Sequence, residues 1–377
     1  MVSELVPNLR AAARQGTKPT VYNFSPGPAM MPQAVMEQVQ AEFLDWHGRG
    51  ISALEMGHRT PDFITIAEES EADLRELMSI PADYRVLFLQ GGATSQFAMV
   101  PMNLLAGGKT ADYLCTGVWS VKAYQEALRH GKAHLAASSE AEDFLTIPPR
   151  TEWRLSDDPA YLYYTSNETI TGLQFPDLPD AGAVPLVSDM TSDFLSRPLD
   201  ISRFGVIFAG AQKNIAPAGL VVVVIRADLI GEVSSHLPSL YDYAIMAESD
   251  SMYNTPPTFS WYMAGLVFKW IKQQGGVAVM EQNSLRRSGK LYQAIDASGF
   301  YHNPVAVEYR SRMNVAFTLS DDSLEQTFLR EAEENGLVAL KGHRVLGGMR
   351  ASMYNALPEE GVDALIGFMR EFERRYG

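Results

Sequence analysis

From about residue 80 onward, short apolar runs alternate with helix-like segments. RVLFLQ (85–90) reads as a buried strand, followed by two glycines and a helical stretch through SQFAMVPMNLLA. ADYLC (111–115) reads as a second strand, and the helix-like SVKAYQEALRHG after it stops on a glycine. AYLYYT (160–165), VPLVSD (184–189), GVIFAG (205–210) and GLVVVVIR (219–226) are further strands. Runs that are apolar at nearly every position predict strands covered on both faces. Alternating with helices, they predict an α/β sheet.

The rhythm changes after the long helical stretch SWYMAGLVFKWIKQQGG (260–276). RMNVAFTL (312–319), a helix over 323–335, GMRASMY (348–354) and a terminal helix from Pro358 have the pattern of a small α+β domain. A chain of 377 residues also exceeds one ordinary domain. The expected division is a poorly ordered extension over 1–20, a large domain over 21–273 and a small domain over 274–377. The first residues of the large domain are expected to pack with the small one.

Composition narrows the partners. With 31 basic and 45 acidic residues the formal charge is −14, which disfavours nucleic acid and anionic membrane. A site for an anionic substrate must therefore gather its cations locally. Cys115 is the only cysteine, so neither an intrachain disulfide nor a cysteine-rich metal site can form, and a reducing compartment fits. No metal is expected. No run has the length of a membrane span, and the first residues lack the apolar stretch of a signal peptide. The expected location is cytoplasmic.

Ligands of open α/β sheets collect beyond the carboxyl ends of the strands, and four residue groups fall there. QGGATSQF (90–97) has glycines and a helix start, the arrangement that lets backbone N–H groups meet a phosphate. Taken alone it is more readily a tight turn with an N-cap at Thr94 or Ser95. Asp189 closes an apolar strand; it is either a loop carboxylate or one that needs a buried cation. Lys213 stands in FAGAQKNIAPAGL (208–220), a run of small and apolar residues. It either snorkels outward or is desolvated, with its pKa lowered so that the free amine can attack a carbonyl. GHRT (57–60), GHRV (342–345) and Arg350 make up the fourth group. One such doublet is an ordinary surface feature, whereas two plus an arginine suit a substrate with two anionic ends. Cradle, aspartate and lysine together match what pyridoxal phosphate requires.

These residues also carry a resemblance to the phosphoserine aminotransferase family, in the class V group of fold-type I pyridoxal-phosphate enzymes. It rests on EMGHR, GGATSQF, ADYLCTGVWS, SNETITG, SDMTSDFLSRPLDISRFGVIFAGAQKNIAPAGL, MYNTPPTF and GHRVLGGMRASMYNA, and runs from NFSPGPAMMP to the end. The resemblance implies a mostly parallel, seven-stranded type of sheet sandwiched by helices, plus a small C-terminal α+β domain. It implies pyridoxal 5'-phosphate held as a Schiff base on Lys213, with Asp189 on the ring nitrogen, Trp119 on the ring face and Thr169 beside the phenolic oxygen. Ala93, Thr94 and Gln212 would hold the phosphate, joined by Asn254 and Thr255 of a second subunit. Arg350 would bind the substrate α-carboxylate. His343 and Arg344, with His58 and Arg59 of the second subunit, would take the distal phosphate or carboxylate. Asp193 stands where the family more usually has a neutral residue.

The implied reaction is 3-phosphohydroxypyruvate + L-glutamate ⇌ O-phospho-L-serine + 2-oxoglutarate, run as ping-pong by a homodimer with shared sites. The implied pathway is serine biosynthesis, and a related phosphorylated 2-oxo acid of pyridoxine biosynthesis is a second acceptor. A class V desulfurase would need a mobile cysteine, and Cys115 falls inside an apolar strand pattern. A non-catalytic relative would most simply lack Lys213 or Asp189, and both are present.

Overall fold

The computed structural model describes residues 20–231, 237–344 and 346–377. The expected N-terminal extension lies, apart from Thr20, outside the described residues. Along the chain, β1 (Tyr22–Asn23), α1 (Gln33–Glu42) and α2 (Pro61–Met78) come first. The alternating part follows as β2 (Tyr84–Gly91), α3 (Ala93–Leu104), β3 (Thr110–Cys115), α4 (Val118–Ala127) and β4 (Lys132–Ser138). It continues through β5 (Pro159–Thr165), β6 (Asn167–Glu168), β7 (Leu173–Gln174), β8 (Leu186–Asp189), β9 (Val206–Gly210) and β10 (Gly219–Arg226). Helices α5 (Tyr243–Glu248), α6 (Thr258–Gln273) and α7 (Val277–Asp296) lead out of it. The last part is β11 (Tyr301–His302), β12 (Asn314–Leu319), α8 (Glu325–Glu334), β13 (Leu337–Val338), β14 (Met349–Ser352) and α9 (Glu359–Tyr376).

The seven-stranded sheet has the order β2-β10-β9-β8-β5-β3-β4. Only β10 runs against its neighbours; the pairings among β9, β8, β5, β3 and β4 are parallel. Six of these strands match the apolar runs of the sequence. The seventh, β4, joins at one edge.

Alternate residues of each strand feed two separate apolar layers, as the pleat requires. Leu87, Leu89, Tyr163, Phe208, Val221 and Val223 pack under α3, α4 and α5. Val86, Phe88, Leu162, Ile207, Val222 and Val224 pack under α2 and α6. In that second layer Phe88 stacks on Trp261 at 4.5 Å between ring centroids, while Phe63 meets the same indole edge-on at 5.7 Å. Truncating an aromatic so enclosed costs about 3–5 kcal/mol.

A further core lies beyond α6. The antiparallel sheet β11-β12-β14 supplies Val315, Phe317, Met349 and Ala351, and α8 and α9 supply Phe328, Leu365 and Phe372. Phe24 belongs to this core too, because β1 pairs in parallel with β13. Helix α7 has a foot in each: Val277 and Met280 sit in the sheet's core, Leu291 and Ile295 in the further one. Among the described residues no helix is long and apolar enough to cross a membrane.

Candidate active site

The strand ends of β2, β5, β8 and β9 point at one cavity of about 280 Å³. Helix α3 enters first. It begins two residues after β2, and Gly91 makes that turn at φ +118°, where a Cβ would sit 2.4 Å from Ser95 Oγ. Ser95 Oγ donates to the Gly92 carbonyl at 2.7 Å and accepts its N–H at 3.2 Å. The N–H groups of Ala93 and Thr94 have no intrahelical acceptor, as at any helix start, and both residues line the cavity. There is no acidic residue in this first turn. The positive helix end is thus left open to an anion.

Asp189 ends β8, in register with Thr165 of β5 and Phe208 of β9. Its Oδ1 accepts the Thr191 N–H at 2.8 Å. Burial dominates and raises its pKa to about 6, against the pull of the Thr191 bonds and of Lys213. Lys213 follows β9 by three residues. Its Nζ donates to Thr169 Oγ1 at 2.5 Å and lies 5.9 Å from the centroid of the Trp119 ring. Burial brings its pKa down to about 8, although Asp189 opposes the shift. A loop lysine that titrates near neutrality can act as a nucleophile or move a proton; a snorkelling one would not be so desolvated.

Thr169 and its predecessor organise the far wall. The Thr169 carbonyl accepts from Arg350 Nη1 at 3.3 Å, which brings β14 of the further sheet to the cavity. Glu168 turns the other way and receives the first turn of α4 on its carboxylate. Burial raises its pKa to about 7 against those bonds. Trp119, in that same first turn, lines the cavity and has a buried Nε1 without a hydrogen-bond partner.

Ala93, Thr94, Trp119, Thr169, Asp189, Gln212 and Lys213 are therefore brought together, with Arg350 attached through Thr169. His343 and Arg344 stand on the loop before β14. Burial holds the His343 pKa below its usual 6.5, helped by the charges of Arg350, Arg344 and Lys122, so these cations share one neighbourhood. His58, Arg59, Asn254 and Thr255 are not in the cavity lining. His58 and Arg59 precede α2. Thr255 is exposed, and its carbonyl accepts from Gln90 Nε2 of β2 at 2.5 Å.

Sequence reasoning missed Asn167, Thr191 and Ser192, which also line the cavity. It also missed Lys122, whose Nζ sits 4.7 Å over the Trp119 ring. The i, i+3 spacing of Trp119 and Lys122 on a helix was the available signal. Asp193 now has a physical account. It is buried, accepts from Ser166 Oγ and from Gln174 Nε2 at 3.2 Å, and lies 3.9 Å from Arg197 Nη2. Cys115 is sealed inside β3 with its thiol pushed up to about 12 by burial, so it is no mobile nucleophile.

A lysine amine and a carboxylate at neighbouring strand ends of a parallel sheet define a class of protein that other chains share. The family model of aminotransferase class-V matches residues 21–365, and the chain belongs to that family. Within it, the chain belongs with the phosphoserine aminotransferases. The one from Hahella chejuensis (strain KCTC 2396) is 58% identical over 354 residues, covering 94% of this chain and 98% of its own. The solved structure of the phosphoserine aminotransferase from Bacillus circulans subsp. alkalophilus superposes with a TM-score of 0.92 at 48% identity, covering 95% of this chain and 99% of that one. A PLP-bound phosphoserine aminotransferase from Trichomonas vaginalis superposes with a TM-score of 0.89 at 40% identity, covering 93% and 99%.

Proposed function

We propose that this chain is a pyridoxal-5'-phosphate-dependent transaminase catalysing 3-phosphohydroxypyruvate + L-glutamate ⇌ O-phospho-L-serine + 2-oxoglutarate, in serine biosynthesis. The observation that carries the reading is the buried Lys213 amine, held by Thr169 at 2.5 Å beside the strand-end Asp189. The cavity fits the cofactor: an uncapped helix start for its phosphate, a buried carboxylate, a ring-sized aromatic wall with an unsatisfied Nε1, and an amine of lowered pKa. When bound, that group supplies an electron sink for the pair left at the substrate α-carbon.

The chain's own residues do the rest. Lys213 Nζ would be the amine that holds the cofactor, and it would be the group that takes and returns the proton of the substrate α-carbon. Asp189, ionised beside a cationic ring nitrogen, keeps that nitrogen protonated, since opposite charges in a dry site stabilise one another. Trp119 would face the ring, and Thr169, which accepts from Lys213 Nζ, would lie beside the phenolic oxygen. Ala93, Thr94 and Gln212 bind the phosphate. Arg350 takes the α-carboxylate with its planar fork, while His343 and Arg344 receive the distal anion. The same cations would serve the two partners in turn: glutamate, whose amino group the bound cofactor would keep while 2-oxoglutarate leaves, and then the phosphorylated keto acid, which would receive that group. A related phosphorylated 2-oxo acid on the pyridoxine route is a second acceptor under the same reading.

The working unit is a homodimer, in which His58, Arg59, Asn254 and Thr255 complete the partner's site. Support comes from the apolar side chains exposed in the same two segments: Leu44 (82%), Leu54 and Ile51 before His58, and Tyr253 before Asn254. The two cores support a division into domains 21–273 and 274–377, and the location is cytoplasmic. The test is Lys213→Ala. Steady-state turnover is lost, and borohydride leaves no pyridoxyl group on the protein. A variant that still yields a stable pyridoxyl adduct at this site overturns the assignment.

A further inference from the structure

Two helices start at this site, and they are treated in opposite ways. The first turn of α3 carries no acidic group and opens onto the cavity. The first turn of α4 has none of its own either, and its N-cap is Gly117, which has no side-chain acceptor. A carboxylate from 48 residues away fills that role. Glu168 Oε1 accepts the Ser120 N–H at 2.9 Å and the Ser120 hydroxyl at 2.6 Å, while Oε2 accepts the Trp119 N–H at 3.1 Å. The carboxylate is fully buried. Gly117 is shaped around it: a Cβ at that position would lie 2.2 Å from Glu168 Cδ. Ser120 completes the lock by accepting the N–H groups of Thr116 at 2.9 Å and Gly117 at 3.0 Å.

The position of Glu168 in the chain gives this lock its meaning. Its neighbour Thr169 holds Lys213 through the hydroxyl and Arg350 through the carbonyl. Trp119, held by Glu168, supplies the aromatic wall of the same cavity. Two consecutive residues, the last of β6 and the one after it, therefore tie together the ring platform, the amine and the arginine of the further sheet.

We propose that Glu168 is a positioning residue: its carboxylate fixes the first turn of α4 so that Trp119 presents its ring to the cofactor. It touches neither cofactor nor substrate and acts through Trp119. A charged acceptor at a helix start, sharing buried hydrogen bonds, holds that turn more firmly than water or an amide could. Glutamine cannot replace it. Its single oxygen can keep the Ser120 bonds, but its NH₂ then faces the Trp119 N–H, donor against donor.

The proposal rests on the cofactor reading above, and the experiment separates the two. Wild type, Glu168→Gln, Trp119→Ala and the double variant are loaded with pyridoxal 5'-phosphate. The cofactor's visible circular dichroism and its dissociation rate on dialysis are then measured. The expected result is a visible dichroic band weakened at least twofold and release about tenfold faster in Glu168→Gln. In the Trp119→Ala background, adding Glu168→Gln changes release less than about twofold, because residues acting as one unit are not additive. Ser120→Ala removes one donor to Glu168, and with it the acceptor of the Thr116 and Gly117 N–H groups, without touching the charge; it shifts the same band and rate in the same direction by a smaller amount. This milder variant decides the matter should Glu168→Gln fail to fold. Wild-type protein that binds no pyridoxal phosphate refutes the cofactor reading. A Glu168→Gln holoenzyme with wild-type dichroism and release, fully additive effects with Trp119→Ala, or a Ser120→Ala protein that behaves as wild type refutes the positioning role and leaves the cofactor reading standing.

Discussion

Arg350 donates through Nη1 to the carbonyl of Thr169 at 3.3 Å, while the hydroxyl of the same threonine accepts Lys213 Nζ at 2.5 Å. A strand of the further sheet and the buried amine of the central sheet thus share one residue. Arg350 is 5% exposed, and its Nε has no hydrogen-bond partner among the described residues. A buried donor left free beside a cavity is the arrangement that an incoming carboxylate satisfies.

Asp189 gives a prediction that separates stability from function. Its pKa rises from the ordinary 3.8 to about 6 in the folded chain, chiefly through burial. Between those values the folded chain keeps a proton that the unfolded chain has released, so stability falls as pH rises through this window. Above pH 6 the full penalty of burying the charge is present. Asp189→Asn should therefore stabilise the cofactor-free protein at pH 7.5, by up to about 3 kcal/mol, and abolish turnover. At pH 4 the two proteins should melt together. Thermal melts of both at the two pH values check this; a less stable variant at pH 7.5 would contradict it.

Arg344 tests the distal anion. Arg344→Ala should weaken phosphoserine binding by roughly a hundredfold and glutamate binding by less than about tenfold, because the charge-assisted bonds to a phosphate are the stronger set. Titration of the bound cofactor's absorbance with each amino acid provides the comparison. Equal, small losses would remove Arg344 from phosphate recognition.

Shared sites give a quantitative signature. Lys213→Ala and Arg59→Ala chains, each impaired alone, are refolded together. If equal chains assort at random, about half of the dimers are mixed and each of these holds one intact site, so activity should return to roughly a quarter of wild type. Mixed dimers without activity would show that each chain builds its own site.

Asp193 is paired with Arg197 in the dry interior behind Asp189. Asp193→Asn keeps the shape and removes the charge, leaving the guanidinium with the carbonyls of Phe175 and Pro176 as its partners. Breaking a buried pair costs about 3–5 kcal/mol at close contact, and at 3.9 Å we expect about 2 kcal/mol, a melting temperature roughly 2–5 °C lower. A variant that melts with wild type would show that this pair contributes nothing to stability.

What could be read from the sequence follows burial. The strands of the central sheet that are apolar throughout, such as GLVVVVIR, announce themselves because both faces are covered. Strand β4 escaped: KAHLAAS is alanine-rich, mostly half-exposed and lies at the sheet edge, so nothing demands a continuous apolar run. Lys213 and Asp189 stood out only in combination, as charges after neighbouring apolar strands, and both line the cavity. Glu168 did not stand out, since a glutamate in SNET looks solvated until α4 is seen folding onto it. The cavity residues Asn167, Thr191 and Ser192 carry no local signal either, because hydroxyl and amide side chains are ordinary in loops. His58, Arg59, Asn254 and Thr255 rest on resemblance, since one chain does not bring them into the cavity.

Helix α7 is, in mechanical terms, a lever. Its 20 residues span about 30 Å, so each degree of tilt about the Val277 end moves the Ile295 end by about half an ångström. A five-degree rocking, small enough to leave the contacts of Met280 in the sheet's core in place, travels more than 2 Å at the other end. That exceeds the slack in a hydrogen bond. Arg350 hangs from the body at the long end of this arm, and Lys213 from the body at its fulcrum. The 3.3 Å bond from Arg350 to Thr169, the residue that also accepts from Lys213, is the tie that such a tilt would strain first.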